Sequence, residues 1–253
     1  MVKAARKRGS GVKAPDGYVK SNGNTLKRRL VASVHGHEKQ GKTEFALSAP
    51  GPICYLNFDC GLEGVVEKFE AEKDIFRVDF DMECPPKTDK KKYYNEQWNK
   101  FLTAFRAALA HEETRTIVVD TETEAWETIR LAYFGKKEQV MPHHYAPVNE
   151  EYLSLLKGVY KTSKNLIFLR KMRAQYVDDK WNGKYEPAGF NKLQYVAQAF
   201  GEIIFDKKDK TFSLDLQDSR INKMMVGFPF KGEMCTFPEV AAALHENDVE
   251  EWL

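Results

Sequence analysis

Between Gly36 and Thr43 the chain reads GHEKQGKT: a glycine, four residues, then glycine, lysine and threonine. That spacing suits a backbone turn wrapped around phosphate oxygens. The glycines let successive N–H groups converge, a cation follows at once, and a hydroxyl comes next to serve a hard metal ion. The flanks agree. Leu30 to Val34 is a short apolar run of strand type, and Glu44 to Ser48 opens as a helix whose positive end would add to the field at the same place. The segment Gly36, His37, Glu38, Lys39, Gln40, Gly41, Lys42 and Thr43 is therefore expected to hold a nucleotide. Lys42 would reach the β and γ phosphates, and Thr43 would offer its hydroxyl to Mg²⁺.

Other residues could complete that chemistry. Thr116 to Asp120 is an apolar strand closed by an acid, and Asp120 is the candidate for the Mg²⁺ carboxylate, on a strand expected beside the one that feeds the loop. Three acids could orient the attacking water: Asp59 and Glu63 after the strand Ile53 to Phe58, and Glu122 just beyond Asp120. Asp59 could equally cap a helix, and Glu122 and Glu124 could simply favour a helix dipole. Further on, Asn165 to Leu169 ends in Arg170, Lys171 and Arg173, cations suited either to sensing a γ phosphate or to rooting a polynucleotide-binding loop. Tyr176, Trp181, Tyr185 and Phe190 then interleave with Lys180, Lys184 and Lys192. Aromatic faces stack on unpaired bases while cations follow the phosphates, so this stretch is a candidate single-strand site; an ordinary hairpin covering the core is the plainer alternative. Asn182-Gly183 reads as the turn of that hairpin. Arg220 and Lys223 could act across a subunit boundary, or could be surface charges.

The elements that must position these groups follow from periodicity. The loop helix should stop before Pro50, because a proline disfavours helix in the residue ahead of it. Asp59 to Gly64 should open a helix carrying Val65, Val66 and Phe69, followed by a third strand, Ile75 to Phe80, and a surface loop through Lys90, Lys91 and Lys92. Trp98, Phe101, Leu102, Phe105, Ala108 and Leu109 fall at helical spacing and form a core stripe. Helices around residues 126–134 and 150–162 come next. Glu202 to Asp206 and Thr211 to Leu216, joined by Lys207 to Lys210, read as an antiparallel hairpin at the sheet edge.

Composition sets the outer limits. With 253 residues, 42% hydrophobic and 30% charged, the chain can form one α/β domain with a sizeable core. A formal net charge of +2 excludes a polycation that binds nucleic acid by charge alone. Residues 1–26, with Lys3, Arg6, Lys7, Arg8, Lys13 and Lys20, read as a flexible basic arm, residues 27–237 as the nucleotide-binding domain, and residues 238–253 as a short helix with an acidic tail. Cys54, Cys60, Cys84 and Cys235 form no CxxC pair, so neither a zinc site nor a disulfide framework is expected. The adjacent His143 and His144 lack partners at ligand spacing. No apolar run nears the roughly 18 residues a spanning helix requires, and no signal-peptide core is seen, so a soluble cytoplasmic protein is expected.

In this order the elements resemble the RecA-like ATPase core over roughly residues 27–216: an α/β fold with a mostly parallel sheet flanked by helices and an antiparallel hairpin at its edge. GHEKQGKT is similar to the RecA-type loop in placing Glu38 two residues after the first glycine. More narrowly, the chain resembles phage-encoded RecA-like proteins grouped with single-strand annealing proteins of the Sak type. The resemblance implies an ATPase using Mg²⁺, a homo-oligomeric ring or filament, single-stranded DNA as partner, and work in the host cytoplasm. It assigns Gly36, Gly41, Lys42 and Thr43 to the nucleotide, Asp120 to Mg²⁺, and residues 170–190 to DNA. One departure is visible: Gly61 stands about where relatives carry the water-activating Glu, leaving Asp59 and Glu63 on either side and implying slow hydrolysis. That gap supports an alternative, an ATP-switched replication adaptor or helicase loader. The ending DVEEWL, which resembles the acidic tips of single-strand-binding proteins, bears on a replication-protein partner, with a merely solvated end as the plainer alternative.

Overall fold

The computed structural model describes residues 28–59, 61–135, 141–178 and 180–253, together with Asp16 in an exposed turn. The basic arm expected over residues 1–26 and Cys60 otherwise lie outside the described residues.

An eight-stranded sheet organises the chain. It contains β1 (Val31–His35), β2 (Ile53–Asn57), β3 (Ile75–Asp79), β4 (Thr116–Asp120), β5 (Asn165–Arg170), β8 (Ala199–Asp206), β9 (Thr211–Ser219) and β10 (Pro229–Lys231). Their order is β10-β9-β8-β1-β5-β4-β2-β3. The six from β8 to β3 run parallel, while β9 and β10 are antiparallel at one edge. β1, β4 and β5 are buried at every position, which is why they read as continuous apolar runs rather than alternating ones. One expectation about this sheet is corrected. β4 does not lie beside β1; β5 lies between them and pairs with both. Three strands of the same apolar character leave their lateral order undetermined by pattern.

Helices cover both faces. α2 (Lys90–Ala110), α3 (Glu122–Phe134) and α4 (Tyr145–Lys157) pack one face around Phe101, Phe105, Trp126 and Tyr152. α1 (Lys42–Leu47) and α5 (Phe237–His245) pack the other around Phe45, Leu47, Phe237 and Trp252. Strand alternation sorts side chains between the two cores. On β4, Ile117 and Val119 belong to the first and Val118 to the second; on β5, Leu166 and Phe168 belong to the first and Ile167 and Leu169 to the second. Each fully buried aromatic here, such as Phe101 or Phe168, contributes on the order of 2 kcal/mol by leaving water.

Local chemistry sets several boundaries differently from the periodic pattern. Asp89 accepts from the Lys92 backbone N–H, so α2 starts at Lys90 and takes the three-lysine cluster into its first turn instead of leaving it in a loop. The expected helix after Asp59 is only turns and one 3₁₀ turn, Val66–Lys68, with Val65, Val66 and Phe69 packed against the second core. β6 (Met172–Val177) and β7 (Lys180–Pro187) form a separate two-stranded ribbon. Its reversal follows Val177, at Asp178 (φ 50°). Asn182-Gly183 lies inside β7, where the register slips between Ala174 and Tyr176, and so forms a bulge rather than the turn. At the other end, Trp252 is buried in a 3₁₀ turn, Val249–Trp252, against Phe237 and His245. The ending is docked on the body, not presented as a free acidic tip.

Candidate nucleotide-binding site

The parallel strands all point one way, and their C-terminal ends open a cavity of about 900 Å³. It is lined by every residue from Gly36 to Glu44, and by Asp59, Gly61, Glu63, Val65, Asp120, Thr121, Lys171, Met172 and Phe212. The loop leaves β1 and returns into α1 through Gly41, at φ 90°. A side chain there would need that left-handed backbone and would also sit 2.5 Å from the Phe212 ring, so only glycine fits. Gln40 secures the loop from outside by accepting the Phe205 backbone N–H at 2.7 Å.

Lys42 curls back over its own loop, donating to the carbonyls of Gly36 at 2.9 Å and His37 at 2.7 Å. Burial lowers the lysine pKa while Asp120 and Asp59 oppose the shift. A phosphate entering the loop offers this ammonium stronger, charged acceptors in place of neutral carbonyls.

Asp120, at the tip of β4, faces the same side as Val118 and meets the loop. Its Oδ2 lies 3.4 Å from the Thr43 hydroxyl and accepts the Tyr55 hydroxyl. Burial pushes the carboxyl up to about 6, with Asp59 adding to the shift and Tyr55, Lys42 and Thr43 opposing it. A buried carboxylate beside a threonine hydroxyl is a hard-oxygen pair of the type Mg²⁺ takes, and the ion's charge would offset the desolvation that raises the pKa. No group of three or more His, Cys, Asp or Glu that could hold a metal occurs among the described residues, so this pair would supply only part of a coordination shell. Mg²⁺ ordinarily completes its shell with phosphates and water. Gly61 faces this pair: a Cβ there would stand 3.3 Å from Thr43 Oγ1 and 3.8 Å from Asp120 Oδ2. Position 61 is thus aimed at the Thr43–Asp120 pair but carries no acid, and Asp59 and Glu63 line the cavity on either side of it.

Other expected site residues go elsewhere. Glu122 is fully buried on the opposite face of the sheet and does not line the cavity. Its Oε2 lies 3.3 Å from Arg170 Nε, and it also accepts the Phe190 N–H at 3.2 Å and the Tyr152 hydroxyl at 3.3 Å. Burial raises its carboxyl to about 7 against the lowering effect of Arg170. Arg170 is likewise buried, donating to the Ala188 carbonyl at 2.8 Å. It shares the strand parity of Leu166 and Phe168, so it faces α3 and α4 and is withdrawn from any polymer. Phe190 is core, packed at a tilt against Trp126 and edge to face with Tyr152, not a base platform. Lys171, one residue on, turns to the loop side and lines the cavity instead of a polynucleotide surface. Arg220 donates to the carbonyls of Gln194 and Tyr195, and Lys223 pairs with Asp218, so both make contacts within their own subunit.

The ribbon keeps the exposure a stacking surface needs. Tyr176, Trp181 and Tyr185 are each at least half exposed, with Lys180 and Lys184 beside them, while Arg173 pairs with Glu186. Trp181 and Tyr185 lie 6.3 Å apart edge to face. Tyr185 also packs edge-on against His37 of the loop at 4.6 Å. Sequence reasoning missed one lining residue, Phe212, and two residues, Tyr55 and Glu124, that touch lining residues. Tyr55 and Phe212 carry no local signal, since strand register alone brings them to Asp120 and Gly41; Glu124, noted only as a first-turn acid, pairs with Lys171.

A glycine loop between a buried strand and a helix, facing a buried Asp across a mostly parallel sheet, defines a RecA-like P-loop ATPase. The chain belongs to the AAA domain family, whose sequence profile matches residues 28–225. No curated protein matches the sequence significantly. Among solved structures, the RadB recombinase superposes with a TM-score of 0.51 at 14% identity, covering 81% of this chain and 87% of that one. An ATPase from the type III secretion system of pathogenic bacteria gives a TM-score of 0.46 at 14% identity over 72% of this chain and 52% of that one. At 14% identity the likeness to the RadB recombinase is one of fold. No helix among the described residues is long and apolar enough to cross a membrane.

Proposed function

We propose that the protein is a single-stranded-DNA-dependent ATPase that promotes annealing or recombination. In this scheme Gly36 to Thr43 hold ATP, Lys42 neutralises the β and γ phosphates, and Thr43 and Asp120 hold Mg²⁺. Asp59 or Glu63 orients a water that attacks the γ phosphorus as the bond to ADP breaks. Slow turnover fits the absence of an acid at position 61. Copies of the chain would assemble on DNA with ATP between neighbours, so that binding favours the assembly and hydrolysis loosens it. The narrower resemblance to phage Sak-type proteins supports a host-cytoplasmic role beside a single-strand-binding or other replication protein.

One observation carries the DNA component. The ribbon that exposes Tyr176, Trp181 and Tyr185 grows directly out of the cavity wall at Met172, and its Tyr185 rests on His37 of the nucleotide loop. A strand stacked on those rings would bear on the loop that holds ATP. A second scheme, an ATP-switched adaptor or helicase loader, draws support from Gly61, because a site without the expected acid suits a switch better than a motor.

The test is ATP hydrolysis with and without single-stranded DNA, with duplex as control and Lys42→Ala as blank, at fixed salt because phosphate contacts weaken steeply with it. Stimulation by single strands is the expected result. ATP binding with no stimulation by DNA would reject the recombination scheme in favour of the adaptor.

A further inference from the structure

We propose that Lys171 is a positioning residue for ATP hydrolysis: anchored by Glu124, its ammonium holds the Asp59 carboxylate in place to direct the attacking water. The proposal rests on the assignment of the cavity to ATP and goes beyond it by selecting Asp59 over Glu63 and naming what aims it.

Lys171 follows the last residue of β5, where strand alternation sends Arg170 to one face and Lys171 to the other. Its backbone is fixed on both sides. The N–H donates to Thr123 Oγ1 at 3.1 Å, and the carbonyl accepts the Ala188 N–H at 2.8 Å. The side chain then joins two acids from different elements: Nζ lies 2.5 Å from Glu124 Oε1, in the first turn of α3, and 3.3 Å from Asp59 Oδ2, just past β2. Burial of the ammonium works against its charge, but Glu124 and Asp59 together hold its pKa above the ordinary lysine value. Glu124 depends on this contact, since its Oε2 is buried with no hydrogen-bond partner. The tighter bond to Glu124 makes that acid the anchor and leaves Asp59 as the end that faces the cavity.

A partly exposed ion pair adds little to stability, so its value here is geometric. Asp59 sits in a bend just past β2 rather than in a helix, and has a shorter side chain than the Glu that the resemblance leads one to expect two positions later. A carboxylate so placed needs a directional partner to act on water. In the step itself, water oxygen bonds to the γ phosphorus, the bond to the β-phosphate oxygen breaks, ADP takes that electron pair, and Asp59 receives the water proton before passing it on. Lys171 touches Asp59, not the reacting atoms.

The experiment compares Lys171→Met, Lys171→Arg, Glu124→Gln, Asp59→Asn and the Asp59→Asn/Lys171→Met double variant. Single-turnover hydrolysis is read with and without single-stranded DNA, nucleotide affinity is read separately with a fluorescent ATP analogue, and thermal melting confirms folding. General-base and orienting groups contribute about 10²–10⁴-fold, so Lys171→Met is expected to lose about 10–100-fold in rate with affinity within about threefold. Lys171→Arg should recover most of that rate, Glu124→Gln should fall between, and the double variant should be no slower than Asp59→Asn alone, because the two act as one unit. Unchanged rate in Lys171→Met, additive losses in the double variant, or a loss confined to affinity overturns the proposal. Where Lys171→Met does not fold, the Arg and Gln variants decide: full rate in Glu124→Gln with no effect of Lys171→Arg also overturns it. Loss of analogue binding in wild type, or binding unaffected by Lys42→Ala, would instead reject the ATP site itself, a result separable from the positioning role.

Discussion

Replacing Arg170 by methionine should destabilise the protein rather than weaken its grip on DNA. Arg170 is buried beside Glu122, whose carboxylate has no exposure and lies 3.3 Å from the guanidinium. Removing the arginine strands that carboxylate and takes from the Ala188 carbonyl its 2.8 Å donor, leaving only the Thr123 hydroxyl at 3.5 Å. Breaking one side of a buried pair costs about 3–5 kcal/mol. Glu122 keeps the Phe190 N–H and the Tyr152 hydroxyl, which places the cost toward the lower end. In a domain of this size 1 kcal/mol moves Tm by roughly 2–4 °C, so a drop of about 6–12 °C is expected. The loss should depend on pH. Burial raises the Glu122 carboxyl from 4.5 to about 7 even with Arg170 opposing, and without Arg170 the upward shift grows. A group raised in the folded state gives stability that is present below its unfolded pKa and lost as pH climbs through the folded one. The variant should therefore melt closer to wild type at pH 5 than at pH 8. Circular dichroism melts at both pH values, with single-strand affinity measured well below Tm, make the assay. A Tm within about 2 °C of wild type at pH 8 together with lost DNA affinity would refute the reasoning and return Arg170 to the polymer. Glu122→Gln provides the companion result: milder destabilisation, and turnover within about threefold of wild type, as expected for a structural acid rather than a base.

Three further outcomes follow from the same geometry. Lys42→Ala removes an ammonium expected to make two charge-assisted bonds to phosphate, at about 1.5–3 kcal/mol each, and should lower ATP affinity by at least about 100-fold by calorimetry; normal affinity would move the nucleotide elsewhere. The Trp181→Ala/Tyr185→Ala double variant removes two stacking faces worth about 1–3 kcal/mol each and should weaken single-strand binding by at least about 30-fold in fluorescence anisotropy. Equal affinity would take DNA off the ribbon. Trp252→Ala opens the second core beneath Phe237 and should cost about 3–5 kcal/mol in urea unfolding, whereas a free tip would cost nothing measurable.

The sequence by itself determined the loop, the strands on either side of the site, and the acid at the tip of β4, because these are local: a glycine spacing, an apolar run and a closing residue need only their neighbours. Gly61 read as a gap only through the resemblance to RecA relatives, and in the structure its Cβ direction points toward Thr43 and Asp120. What only the tertiary structure decided was which face each side chain takes and which strand lies beside which. β1, β4 and β5 are buried on both sides, so composition carries no sign of their lateral order, and β5 entered between the other two. Along β5 a step of one residue sends Arg170 into a core and Lys171 into the cavity, a difference invisible in a run of cations. The Asn182-Gly183 dipeptide became a bulge once the pairing of β6 with β7 fixed the reversal at Asp178, and Trp252 became core because Phe237 was there to receive it. Burial and pairing are properties of the assembled sheet, and residues that meet only through it leave no mark on the order of the chain.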